Sequence, residues 1–488
     1  MTISFNDIPA NTRRPWAWIE FDPSQAQQGP ALMERKILVV GIRNAGGAVS
    51  NGVPTRASSA NEVASYFGAN SQIAHMATAL FANNQVQQAT FVGINAPGGG
   101  TASAGSFAIT GPATAAGTLY AYVAGTRFAV GVASGDTATD IGDALEAAIN
   151  ADIEIPFTAA NTTGTVAITA NHTGAWANNV EASVNYYPGE ALPDGLAVVV
   201  TTPTAGTGSI DPSGIWANLG DDHYTDIAMV DIVTAELAEV ETEMADRWGP
   251  ERQIDAQVFM GLNDTYANLA ALGAARNSPH TTFIGHNQSP TPSYQWAAAL
   301  CGVAAKYLAI DPARPLQTLE LKGVLPPLAN KQFTKSERNL LLYDGISTFM
   351  TTVDGRVLIE RAITAYQTNA YGAADTAYLD LNTKATLSYL RFSFRTLWQN
   401  RYPRHKLRAN GDRIPAGQAI MTPNLAKAEA VAWFRQMEDL GLLEDVDQFK
   451  RDLIIEINES DPTRLDIKIS PNVVNQLRVL GMQVAFLL

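Results

Sequence analysis

The consecutive stretches TDIAMVDI (225–232), VTAELAEVETEMADRW (233–248), AQVFMGL (256–262), NDTYANLAALGAAR (263–276) and TTFIGH (281–286) decide the fold. The first, third and fifth are short apolar runs bounded by polar turns, as buried strands are. The second and fourth carry apolar residues at helical spacing. Strand, helix, strand, helix, strand predicts a mostly parallel sheet covered by helices. Working outward, 293–309 reads as the next helix. KILVVGI (36–42), a helix over 61–81 and ATFVGI (89–94) supply the same alternation upstream.

Between these two blocks, residues 96–220 are rich in Ala, Gly and Thr, with Arg127 as the only basic residue. Short alternating runs such as SFAIT, TLYAYVAG and TVAITA, plus one helix near 139–151, predict a β-rich domain inserted in the α/β domain. Insertions are tolerated best at exposed loops, so this one is expected outermost. Residues 1–30 contain Pro9, Pro15, Pro23 and Pro30, and their only strand-like run is WAWIEF (16–21). Such a segment cannot form its own core and reads as an arm. The remainder carries helices over 376–400 and 424–440, strands at 453–457 and 464–469, and a final run over 477–488. The expected fold class is therefore α/β and α+β multidomain. Its parts are an N-terminal arm (1–30), an α/β middle domain (31–95 and 221–335), an inserted β-rich domain (96–220), an α+β C-terminal domain (336–476) and a C-terminal strand arm (477–488).

The 488-residue chain is 46% hydrophobic but only 16% charged, against about 25% for an ordinary soluble protein. That shortage predicts large subunit contacts. A net charge of −14 disfavours a general nucleic-acid binder. A single cysteine, Cys301, excludes an internal disulfide framework, and its apolar helix predicts an inert buried thiol. The apolar run 296–310 is interrupted by Lys306 and is shorter than the ~20 residues that span a bilayer, so no membrane insertion is expected. The first residues lack the apolar core of a secretory signal, so synthesis and folding in a cytoplasm are expected.

Catalytic signatures do not survive inspection. There is no phosphate-loop GxxxxGK[ST], no HExxH and no GxSxG. Gly98, Gly99 and Gly100 lack dinucleotide spacing and read as an inter-domain linker. Asp221, Asp222, His223 and Asp226 are the most site-like cluster, but they precede a strand as a polar turn would. His280 and His286 flank a strand, too far apart for one ion. No cofactor, metal or catalytic residue is assigned.

Charge, however, is segregated. Residues 221–264 hold twelve acids and two arginines, whereas 384–413 hold eight basic side chains and one acid. On helix 233–248, Glu236, Glu239, Glu243 and Asp246 form an acidic stripe beside the apolar one of Leu237, Val240, Met244 and Trp248. On helix 376–400, Lys384, Arg391 and Arg395 share a face beside the apolar stripe of Leu387, Leu390, Phe394 and Leu397, and Arg404 follows. Either these faces are simply solvated or they meet complementary surfaces. At the C-terminus, Arg478, Leu480, Met482, Val484, Phe486 and Leu488 alternate onto one strand face. Such a strand needs a sheet edge, its own or a neighbour's.

The opening ISFNDIPANTRRPWAWIEFD (3–22), the stretch from LLYDGIS to RYPRHKL (341–407) and the ending after DLIIEIN (452–458) resemble the tail sheath proteins of Mu-like contractile-tailed phages. The likeness is weakest over 96–220. It implies a non-enzymatic structural subunit that forms stacked six-membered rings around a tail tube and contracts once to drive the tube through a host envelope. Implied partners are the chain itself, the tail tube protein, and baseplate and tail terminator proteins, in a virion assembled in the host bacterial cytoplasm. It implies further that Trp16, Trp18, Ile19 and Phe21 at one end, and Leu480, Met482, Val484, Phe486 and Leu488 at the other, add strands to neighbours. Receiving strands would carry Ile454, Ile455 and Ile457, and Leu465, Ile467 and Ile469. Lys384, Arg391, Arg395 and Arg404 would face the tube, or meet Glu236, Glu239, Glu243 and Asp246 of an adjacent subunit. A bacteriocin particle's sheath is a variant of this reading. An α/β enzyme with a β-rich accessory domain is the rival from another class, and needs a polar pocket at the carboxyl ends of the parallel strands. An adhesin, suggested by the β-rich insert, would need a route outside the cell.

Overall fold

The computed structural model describes residues 32–178, 180–230, 232, 234–411 and 418–487. The chain divides into two compact units. One contains 34–389 and 473–487, the other 390–472.

The larger unit opens with β1 (Ile37–Ile42), β2 (Pro54–Ala57), α1 (Ala60–Phe67), α2 (Gln72–Asn83) and β3 (Ala89–Ile94). Both helices start where a serine can cap them: Ser59 accepts from Glu62 N–H, and Ser71 from Ala74 N–H. The chain then enters the insert: β4 (Ala104–Thr110), β5 (Gly117–Val123), β6 (Thr126–Val132), α3 (Ala138–Ala151), β7 (Phe157–Thr162), β8 (Thr165–Ala170), β9 (Ala182–Val184) and β10 (Ala197–Thr204). These form two antiparallel sheets, ordered β10-β4-β8-β7 and β6-β5-β9. Thr137 and Asp140 close a reciprocal capping box at the start of α3. The two connections to the insert run side by side: Thr207 N–H donates to Thr101 O at 3.1 Å. Gly100 is required there, because a Cβ would stand 2.1 Å from Thr207 O.

The chain returns through α4 (Ser213–Leu219), β11 (Asp226–Met229), α5 (Thr234–Trp248), β12 (Gln257–Asn263), α6 (Tyr266–Ala274), β13 (Thr281–His286), α7 (Ser293–Ile310), α8 (Lys335–Tyr343), β14 (Ile346–Thr351) and β15 (Val357–Arg361). One eight-stranded sheet gathers the strands from both sides of the insert, in the order β15-β14-β13-β12-β11-β1-β3-β2. Its six inner strands are parallel. β2 and β15 close the edges antiparallel. β1, β3, β11 and β13 are buried along their whole length. This is why they read as unbroken apolar runs rather than alternating ones. Helices α2 and α7 pack on each other and across β1, β11 and β12. A buried bidentate pair, Arg35 Nε and Nη2 to Asp226 Oδ2 and Oδ1 at 3.0 and 2.7 Å, ties the starting ends of β1 and β11.

This sheet corrects the expected domain boundary at 336. β14 pairs with β13, Phe283 opposite Ile346, so β14 and β15 belong to the α/β domain.

The remaining elements are α9 (Leu381–Arg401), β16 (Lys406–Leu407), β17 (Ile420–Met421), α10 (Pro423–Asp439), β18 (Leu443–Glu444), α11 (Val446–Asp452), β19 (Ile454–Ile457), β20 (Leu465–Lys468) and β21 (Asn472–Val473). In the smaller unit, Thr422 caps α10 and Pro423 sits at its first position. Ala426, Ala430, Trp433, Phe434 and Met437 form its buried stripe, and Phe434 stacks on Phe449 with centroids 4.3 Å apart. Trp433 Nε1 donates to Ser393 Oγ at 3.0 Å.

Candidate functional site

Among the described residues, the C-terminal tail carries the longest run of exposed large apolar side chains. Leu477, Val479, Leu480, Met482, Val484, Phe486 and Leu487 are each 70–101% exposed. Residues 474–487 take no helix or strand assignment. The strand expected over 477–488 is thus not formed among the described residues, 477–487. Leu488, and Trp16, Trp18, Ile19 and Phe21 of the N-terminal arm, lie outside the described residues.

The strands expected to receive arms are present as a two-stranded ladder. β19 pairs antiparallel with β20, with Ile455 opposite Ile467 and Ile457 opposite Leu465. Ile469 falls one residue past β20. Glu456 lies opposite Asp466, a like-charge pair that weakens the ladder. Asn458 and Arg464 hold the Asp466 carboxyl below its usual range by hydrogen bonding. A two-stranded ribbon is marginal by itself, and Ile454 remains 49% exposed.

The basic face of α9 needs a correction. Lys384 is only 4% exposed. Its ammonium donates to Ala256 O (3.0 Å) and Gln257 Oε1 (2.8 Å), and lies 2.8 Å from His280 Nδ1. Because an ammonium only donates, Nδ1 must be the accepting nitrogen. Trp248 places its ring 5.5 Å from the same ammonium. Helical spacing groups Lys384 with Arg391 and Arg395, but the first turns of α9 are buried nearly all round, with Leu381, Asn382, Ala385, Thr386 and Ser388 also enclosed. Arg391 and Arg395 are half-buried and Arg404 is exposed.

The acidic face is largely answered within the chain. Arg252 reaches Asp221 (3.0 Å), Glu243 (3.0 Å) and Asp246 (2.8 Å). Arg247, 1% exposed, also grips Glu243 at 2.8 Å. Glu239 is exposed, and Glu236 is half-buried with Oε2 sealed from solvent and without a hydrogen-bond partner among the described residues. The cluster near 221–226 does not converge either. Asp226 serves Arg35, and the His223 ring lies 3.0 Å from Asp255 O. Among the described residues, no group of three or more His, Cys, Asp or Glu side chains could hold a metal ion. Nor, among them, is any helix long and apolar enough to cross a membrane. Cys301 is buried, and burial pushes its thiol up.

The rival enzyme reading needs a pocket where the strand order reverses, between β1 and β11. An open crevice of about 70 Å³ lies there, lined by Ile42, Val230 and Ile232. Its remaining walls are Pro97, Gly174–Trp176 and Gly208–Ile210 from the insert, with Ser209 the only hydroxyl among them. The insert's linkers stand where a substrate's polar groups would need partners.

The full length of the chain, 488 residues, aligns at 36% identity with the whole of the Mu-like prophage FluMu tail sheath protein of Haemophilus influenzae. The chain belongs to the phage tail sheath family. The model of the phage tail sheath central domain matches residues 205–365, and that of the phage tail sheath C-terminal domain matches 373–486. Among solved structures, the sheath tail protein of Desulfitobacterium hafniense is similar at 13% identity, covering 94% of this chain and 100% of that one with a TM-score of 0.49. The sheath tail protein Lin1278 of Listeria innocua is similar at 10% identity, covering 91% and 94% with a TM-score of 0.47. The sheath family is structural rather than enzymatic, and its members are components of the phage tail.

Sequence reasoning missed two features of this sheath protein. The Arg35–Asp226 clamp joins residues 191 positions apart, which no local pattern reveals. Arg478, which reads only as part of an alternating strand, donates to Asp380 and Asn382. Arg478 as the single charged residue of 477–488 was the available signal.

Proposed function

We propose that this chain polymerises as stacked hexameric rings around a tail tube and contracts to drive the tube through a host envelope for genome delivery. The observation that carries the self-assembly part is the pairing of two incomplete structures. A tail with seven strongly exposed apolar side chains between 477 and 487 has no sheet. A two-stranded ribbon, β19–β20, has too few strands. Donating residues 477–488 to the ribbon of a neighbouring copy would complete both, through backbone bonds and alternate apolar pockets. The N-terminal run 16–21 would act likewise. Glu236 and Glu239, and Arg391, Arg395 and Arg404, are the charged groups proposed to meet a neighbour or the tube, with Glu243 and Asp246 of the acidic face already bound to Arg252. Besides the tube, the polymer would meet baseplate and terminator proteins, and would assemble in the host cytoplasm.

Contraction would move subunits as rigid bodies while the arms flex, driven by new interfaces that close between copies. Deleting residues 478–488 is expected to leave a folded, soluble monomer that forms no hollow cylinders under negative-stain microscopy. Normal cylinders from that truncation would refute strand donation.

A further inference from the structure

Arg478 differs from the residues after it. Its side chain is 13% exposed, whereas Val479, Leu480, Met482 and Val484 are 70–84% exposed. Its Nη2 donates to Asp380 Oδ1 at 3.1 Å and to Asn382 Oδ1 at 3.0 Å. Both acceptors stand at the start of α9, and both are committed to other elements. Arg361, at the end of β15, grips Asp380 through Nε and Nη2 at 3.1 and 3.0 Å. Asn382 Nδ2 donates to Pro312 O and Arg314 O at 3.0 and 2.6 Å, in the segment after α7. Two residues on, Lys384 fastens the same helix to Ala256 and Gln257 at the start of β12. What Arg478 holds is therefore the junction where α9 is tied to the α/β sheet.

Enclosing a guanidinium beside a second arginine costs desolvation and repulsion. A tail that only needed to be loose would leave that group in water. We infer that Arg478 is the anchor that fixes where the donated strand begins, so that of the 477–488 arm only the part after Arg478, 479–488, leaves the subunit, from a set point. This rests on the reading that the tail is donated. From Arg478, the ten residues 479–488 span about 33 Å at ~3.3 Å per residue, enough for one strand and a short lead. Anchoring removes conformers the tail would otherwise lose on docking. It also delivers tension on the strand into the sheet through Asp380 and Asn382.

The test uses the full chain with Arg478→Ala. The expected result is a monomer with unchanged circular dichroism and an assembly midpoint raised about tenfold in protein concentration, the size of one charge-assisted bond pair lost. Both hydrogen bonds leave one atom, so Arg478→Lys is expected to restore the midpoint to within about threefold. If the alanine variant fails to fold, Arg478→Gln, which keeps the stem, is measured instead and is expected to show the same rise. An unchanged midpoint for Arg478→Ala or Arg478→Gln, with deletion of 479–488 still blocking assembly, overturns the anchor and leaves strand donation standing. Ordinary cylinders from the 479–488 deletion overturn donation itself.

Discussion

Compare ILVVGI at 37–42 with the tail at 477–487. Both are apolar runs of strand-forming composition. In β1, Ile37, Leu38, Val39, Val40 and Ile42 are 0–1% exposed, flanked by β11 and β3 in parallel register. In the tail, the large apolar residues are 70–101% exposed. The same local chemistry is complete in one place and incomplete in the other. β1 has its partner strands in its own chain, whereas residues 477–487 have none among the described residues. Apolar strands without neighbours are aggregation hazards, and the proposed donation to another copy would cover this one.

The comparison breaks most sharply with a buried charge. Val39→Asp places a carboxylate between Phe91 and Ala228 and is expected to cost more than about 4 kcal/mol in urea unfolding. Val484→Asp should leave monomer stability within about 0.5 kcal/mol yet abolish cylinder formation. Equal destabilisation by the two would mean the tail already packs on its own chain.

A smaller effect separates the two readings of the α9 basic residues. Lys384→Met leaves Ala256 O, Gln257 Oε1 and His280 without their donor. It is expected to cost about 2–4 kcal/mol, whereas Arg404→Met on the exposed surface should change stability by less than about 0.5 kcal/mol. If Lys384→Met proved as silent as Arg404→Met in urea titration, the buried ammonium would not be part of the fold.

What was legible in the sequence follows the same division. The parallel strands and their helices are readable because strands buried on both faces are apolar throughout, and the helices between them keep a 3.6 period. β14 is placed in the wrong domain by its sequence alone, because ISTFMT carries no mark of its pairing with β13, more than sixty residues upstream. Lys384 misleads because spacing reports which residues share a face, not what that face meets. Its partners sit 104–128 residues away. The apolar alternation of the tail, which the structure leaves exposed, was legible. Its anchoring at Arg478 was not, since Asp380 and Asn382 look like ordinary residues at a helix start.

The gentlest way to sharpen the comparison is pH, which acts on the buried interior and spares the solvated tail. His286, at the end of β13, is fully buried and stacked on Trp296 with centroids 4.8 Å apart. Neither ring nitrogen has a hydrogen-bond partner among the described residues. Burial pushes its pKa down to about 3. Above pH ~6.5 the ring is neutral in folded and unfolded chains alike, and stability is indifferent to it. Between pH ~6.5 and about 3, the unfolded chain binds a proton that the folded chain refuses. Stability is therefore lost as pH falls, by up to about 1.4 kcal/mol per pH unit from this residue. His286→Phe keeps an aromatic ring against Trp296 and removes the titration. The variant's unfolding free energy should decline less steeply than the wild type's from pH 6.5 to 5.5, the gap widening by about 1 kcal/mol over that interval. His75 and His172, also lowered by burial, act equally in both proteins and cancel in the difference. Parallel profiles would mean that the ring takes up a proton without leaving its place beside Trp296, and that the sheet's interior is open to water at a strand buried along its whole length.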